Sequence, residues 1–303
     1  MKKKKLSLKK GVRHLSWAEI GQLIKHTIVE FFQEKSFLHG AALSYYTIFA
    51  LVPIMYLAFS TFGKFVGNAQ MQAIIGNLLN KQIGIQDVSG IMTFLEGVDM
   101  EKGSFVLNVV GVFALLLSST ALLASLRNSI NEFFDISRTF DNHKKLIMSH
   151  LFSRLVSVSL LTMMGAVIII VYFAQSIILP FGSHLFEKME IMNGFIIFFL
   201  EHILSMMSSL IIFTFIFKYL HDGVVEWKLA FGGALVTAIM LNVGGLIIKY
   251  YLGHIFFAKD GGIPGTMLVI LAWMYYSSQI IFLGAKFTAV YARMVGKPII
   301  AKK

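Results

Sequence analysis

Apolar residues in this chain gather into six long runs separated by shorter polar stretches. The runs cover Phe37–Phe62, Ser104–Leu126, Leu155–Leu179, Asn193–Phe217, Leu229–Tyr251 and Pro264–Met294. Each is long enough to cross a hydrocarbon core, which takes about 20 helical residues. A span surrounded by lipid must satisfy its own backbone hydrogen bonds, so each run is expected to be a helix. Strands of a membrane barrel are about 10 residues long and alternate in polarity, and these runs do neither. The pattern predicts an all-α integral membrane bundle of six transmembrane helices over residues 37–294. A basic, amphipathic segment precedes it at 1–36, and a short basic tail follows at 295–303.

Within the first segment, Ser16 and Glu19 have the spacing of a capping box. Trp17, Ile20, Leu23, Ile24, Ile28, Phe31 and Phe32 fall on one side of the helix that follows, with Lys25, Glu30 and Glu34 away from most of them. Preceded by Lys2–Lys5, Lys9 and Lys10, such a helix can lie on an anionic leaflet. It can equally dock on the ends of the bundle. Between the first two spans, Met71, Ile74, Ile75, Leu78 and Leu79 have helical spacing, which predicts a short helix in the loop at 63–103.

Charge orients the bundle. Of 27 Lys and Arg residues, 21 fall in the N-terminal segment, the 2–3 and 4–5 connections and the region from Lys286 onward. The other side holds Lys64, Lys81, Lys102, Lys188, Lys249 and Lys259. Cytoplasmic loops carry the basic excess, so both ends are expected in the cytoplasm. The first apolar run is too long for a signal-peptide core, and no cleavage is expected. Composition agrees: 56% of residues are hydrophobic and 14% charged, against about 25% charged in soluble domains. Without cysteine there is no disulfide or thiolate metal site.

Catalytic patterns are sparse. None of the nine histidines sits in a recognised metal motif. His143, His150 and Asp141 share a basic loop but supply too few ligands for a metal nuclease. Gly261, Gly262 and Gly265 form a turn with no preceding strand and no phosphate-binding lysine. The expectation is no metal, no cofactor and no enzymatic activity. The basic N-terminus lacks the interleaved aromatic residues that would point to nucleic acid, so membrane lipids are its expected partner.

Polar side chains inside the spans are more informative, because they are costly there. Glu201, Ser205 and Ser208 share a face of span 4, and Tyr275, Ser278, Gln279 and Lys286 share one of span 6. Ser44, Tyr45, Tyr46 and Thr47 lie well inside span 1, and Asn242 lies in span 5. Hydroxyl and amide groups in spans commonly bond between helices. The alternative is a water-filled polar cavity lined by Ser44, Tyr45, Tyr46, Glu201, Ser205, Ser208, Asn242, Tyr275, Gln279 and Lys286. Glu201 and Lys286, near span ends, can also reach water separately.

Several motifs together resemble one family. Residues 40–53, from Gly40 through Ser44-Tyr45-Tyr46 to Pro53, are similar to the first-span signature of the YihY/BrkB family. Asn131 after span 2, Phe231-Gly232-Gly233-Ala234 in span 5, and residues 271–285 ending in Gly284-Ala285 resemble further elements of it. The similarity covers roughly residues 30–295. Two departures stand out. Lys286 replaces the Glu usual after the span-6 Gly-Ala, and Ile263-Pro264-Gly265 replaces a Tyr-Gly pair. The resemblance implies a bacterial inner-membrane protein of poorly defined activity, in a family formerly labelled a tRNA-processing ribonuclease. The functional expectation is a multi-pass cytoplasmic-membrane protein that handles a solute or lipid in envelope maintenance. A non-transporting scaffold that recruits partners is the alternative, and a membrane-bound enzyme the third.

Overall fold

The computed structural model describes residues 16–58, 64–77, 79–80, 113, 121–136, 159, 162–178, 190–253 and 262–301. Its helices are α1 (Trp17–Gln33), α2 (Ser36–Ala58), α3 (Lys64–Val66) and α4 (Asn68–Asn77). They continue with α5 (residues 121–133), α6 (Thr162–Ile178), α7 (Glu190–Tyr219), α8 (Trp227–Gly253) and α9 (Gly262–Met294). Runs 4, 5 and 6 thus form continuous helices, and run 1 is helical as far as Ala58, where its described part ends. Run 3 appears in part as α6, and run 2 lies mostly outside the described residues. Among the described residues, Phe198–Tyr219, Trp227–Ile248 and Pro264–Met294 are long and apolar enough to cross a membrane. The loop helix lies where its spacing predicts, with Met71, Ile74, Ile75 and Leu79 buried.

Local chemistry sets the ends of α1. Ser16 Oγ accepts from the Glu19 N–H at 3.3 Å, and the Ser16 N–H donates to Glu19 Oε2 at 2.7 Å. This reciprocal cap satisfies donors that the first helical turn leaves free. At the other end Lys35 takes φ 49°, a left-handed conformation that turns the chain directly into α2.

α9 is the centre of the described bundle, lying against α1, α2 and α8, while α7 packs on α8. Small residues bring α8 and α9 close. A Cβ on Gly233 would stand 1.7 Å from Thr288 Oγ1, and one on Gly284 would stand 1.8 Å from Thr237 Oγ1. The arrangement is reciprocal: each helix offers one glycine notch and one threonine to fill the other's. Both threonine hydroxyls donate to carbonyls one turn back, Thr237 to Gly233 and Thr288 to Gly284. The polar groups are therefore satisfied while the backbones approach. Farther along the same antiparallel crossing, the Tyr276 hydroxyl fills the notch at Gly244.

The tail adds a feature that the all-α reading does not contain. β1 (Gly223–Val224) and β2 (Ile300–Ala301) pair antiparallel, with Gly223 opposite Ala301. Two-residue strands carry no periodicity that a sequence pattern could reveal. The pairing ties the 4–5 connection to the end of α9. Phe133 and Phe282 stack nearby at 4.9 Å between centroids, within a core that also holds Phe31, Ile130, Phe217 and Leu220.

Candidate functional site

Two groups of polar residues stand out, one at an end of the bundle and one along α9. The first is built on Lys286, which is fully buried. Its ammonium donates to Glu34 Oε1 at 2.5 Å and lies 3.8 Å from carboxylate oxygens of both Glu30 and Asp135. Arg293, two turns farther along α9, pairs with Glu30 and with Asp135, the latter at 3.0 Å. A lysine buried without a counter-charge would be very unfavourable, and these carboxylates compensate it. Burial pushes the Glu34 carboxyl above its ordinary value of 4.5, against the opposing pull of Lys286. Oxygens of Glu30, Glu34 and Asp135 lie within 4.8 Å of one another. Lys286 and Arg293 bridge these three carboxylates as an ion-pair clasp.

The clasp shows why α1 docks. Leu23, Thr27 and Phe31 are buried, and Glu30 and Glu34 follow them at helical spacing. The sequence places both glutamates away from most of the apolar residues, and the structure turns them towards α9. Their partners lie over 250 residues away, and no local pattern could point to them.

A second tie lies beside it. Asn131 donates to Asp222 Oδ2 at 2.6 Å and accepts from the Asp222 N–H at 2.9 Å. Arg127 pairs with the same carboxylate. His221 Nδ1 accepts from the Gly223 N–H at 2.9 Å, which leaves Nε2 to donate to the Phe217 carbonyl at 2.7 Å and fixes a neutral tautomer. The family-motif residue Asn131 thus locks α5 to the 4–5 connection.

The ten residues expected to line a cavity go to different places. Gln279 donates to the Ser36 carbonyl at 3.3 Å and fills the notch at Gly40, where a Cβ would meet its Nε2 at 1.9 Å. Gln279 and Lys286 therefore face α2 and α1. Glu201, Ser205 and Ser208 lie half-buried on α7, and Ser208 donates to the Ser205 carbonyl. Ser44 and Asn242 likewise donate to carbonyls of their own helices. Tyr45 and Tyr46 are exposed, Tyr275 is half-buried, and Pro53 lies within α2. The span-6 face singled out by sequence is thus turned towards α1 and α2, away from the α7 set. Polar periodicity marks a face but does not say which neighbour covers it.

The adjoining side of α9, turned towards α8, holds polar groups that the sequence reading missed. Trp273 Nε1, Tyr276 Oη and Ser277 Oγ are buried with no hydrogen-bond partner. Their spacings of three and four residues put them on one face. Tyr276 places that face against α8 at Gly244. Buried polar atoms are normally bonded, to protein or to water, and such a set calls for an explanation. The signal was present as Trp-x-x-Tyr-Ser, next to the Tyr275, Ser278 and Gln279 face that drew the reading instead.

This architecture is that of a helical membrane protein whose spans are joined by buried polar ties. The family profile described as Virulence factor BrkB matches residues 27–302, and the chain belongs to this family. It is 23% identical over 280 residues to a UPF0761 membrane protein of Alkalilimnicola ehrlichii, covering 92% of this chain and 60% of the relative. With the UPF0761 membrane protein of Chromohalobacter salexigens the identity is 24%, over 82% of this chain and 58% of the relative. A UPF0761 membrane protein of Mannheimia succiniciproducens is 24% identical, with 87% of each chain covered. The chain spans about three fifths of the length of the first of these relatives. No solved structure matches it.

Proposed function

We propose that this BrkB-family protein crosses the cytoplasmic membrane six times, has both ends in the cytoplasm, and handles a polar solute or lipid headgroup within the bilayer. The observation that carries the functional part is the trio Trp273 Nε1, Tyr276 Oη and Ser277 Oγ, three of the four unpartnered buried polar atoms described on α9, with Gln279 Oε1 on the α2 side the fourth. Lipid tails offer no hydrogen bonds, so donors and acceptors at that depth are stabilised by water or by a polar ligand. The topology is supported at one end of the bundle. There α1, the 4–5 connection, the end of α9 and the tail meet through Arg293 with Glu30, Lys297 with Glu226 at 2.7 Å, and β1 with β2. These are segments that the basic-residue bias assigns to one side.

The protein has no native cysteine, so thiol labelling tests the proposal cleanly. In reconstituted protein, cysteine at Ser277 should react with a small water-soluble thiol reagent. Cysteine at lipid-facing Ile211 should not. A Ser277→Cys protein as inert as the Ile211→Cys control would remove the solute-handling reading.

One observation favours a second reading, a non-transporting scaffold. The reciprocal notches of Gly233 with Thr288 and Gly284 with Thr237 make the α8–α9 crossing close-packed. Such a crossing suits a rigid platform for partners better than a moving part.

A further inference from the structure

The two roles open to α1, docking on the bundle and lying on lipid, belong to different sides of one helix. Successive residues advance about 100° around an α-helix. Leu23, Thr27 and Phe31, with Glu30 and Glu34, form the side held against α9. Trp17, Ile24, Ile28 and Phe32 fall immediately beside it, and all four are exposed. Gln22, Lys25, His26 and Gln33, with the exposed Val29 among them, form a mainly polar stripe on the remaining side. The exposed apolar stripe thus adjoins the docked side rather than lying opposite it. A helix lying flat in a membrane interface alongside a bundle needs this order.

Two further observations identify the occupant of that stripe. It is continuous with the exposed side of the first span: Phe32 and Phe37 are in ring contact at 5.7 Å between centroids, and Phe37 and Leu38 are themselves exposed. In addition, seven Lys and Arg residues lie between Lys2 and Arg13, directly ahead of α1. Such a cluster beside an apolar helix complements an acidic phospholipid surface.

We infer that the Trp17–Ile24–Ile28–Phe32 stripe of α1 is a docking surface for the bilayer interface, one rich in acidic phospholipid, while the neighbouring side stays clasped to Lys286 and Arg293. α1 is then a strut between the leaflet and α9. This holds whether or not the protein carries a solute.

Full-length protein carrying a single nitroxide tests this in vesicles of phosphatidylcholine mixed with phosphatidylglycerol. Labels at Ile28→Cys and Phe32→Cys should collide preferentially with oxygen, which partitions into lipid. Labels at Gln22→Cys and His26→Cys should collide preferentially with a water-soluble nickel chelate. All four positions are exposed, so the docked side is left intact. A nickel preference at all four positions overturns the inference. So does shielding of 28 and 32 from both reagents, which would mean that protein covers the stripe. Omitting phosphatidylglycerol should lower the oxygen preference at 28 and 32. An unchanged preference overturns the assignment of acidic lipid.

Discussion

Lys286 illustrates how far one residue's meaning depends on partners remote in sequence. Alone in a span, a lysine suggests a pathway or a side chain reaching for water. In the structure it is buried beneath Glu34, with Glu30 and Asp135 a little farther away. A buried pair is a weak source of net stability, but removing one partner strands the other's charge. Lys286→Met should therefore lower the thermal midpoint in detergent strongly, at a cost of about 3–5 kcal/mol. Adding Glu34→Leu to Lys286→Met should recover part of that loss, because the stranded carboxylate is gone. Additive losses in the double variant would show that the two side chains do not interact. The substitution of Lys for the Glu usual in the family has a simple structural consequence here. A carboxylate at 286 would face Glu30, Glu34 and Asp135 and be repelled by them.

At the scale of elements, α8 and α9 are held by shape as much as by chemistry. Valine at Gly233 or Gly284 would drive methyl groups into a threonine that has no room to move, since its hydroxyl is bonded to its own helix. Overpacking of this kind costs about 1–3 kcal/mol. Gly245 has nothing within 4 Å of an added Cβ. There Ala should be tolerated and should favour the helix by up to about 1 kcal/mol. Thermal midpoints of Gly233→Val, Gly284→Val and Gly245→Ala separate the cases. Equal effects at the three positions would contradict the notch geometry. The sequence already marked Gly233, within the Phe231-Gly232-Gly233-Ala234 element of span 5. What it could not display was the matching Gly284–Thr288 pair on α9 as the counterpart, because complementarity between helices has no local signature. The capping box of α1 was legible for the opposite reason: both of its members lie within one turn.

Across the described molecule, the apolar runs made the membrane character and the long apolar helices of runs 4, 5 and 6 readable, since length and apolarity alone mark a membrane-capable helix. The runs left undetermined which face of each helix meets which neighbour. That is where the site reading changed: Gln279 and Lys286 turned towards α2 and α1, and the unpartnered Trp273, Tyr276 and Ser277 took the side towards α8. The account therefore rests on whether water or a polar ligand reaches that side within the bilayer. Hydroxyl-radical footprinting of the unmodified protein in lipid nanodiscs reads this directly, because radiolysis of water at a side chain oxidises it on the spot. The account predicts oxidation of Trp273 and Tyr276 well above that of Phe282, which is buried in the packed aromatic core. Oxidation of Trp273 and Tyr276 no greater than that of Phe282 would contradict it.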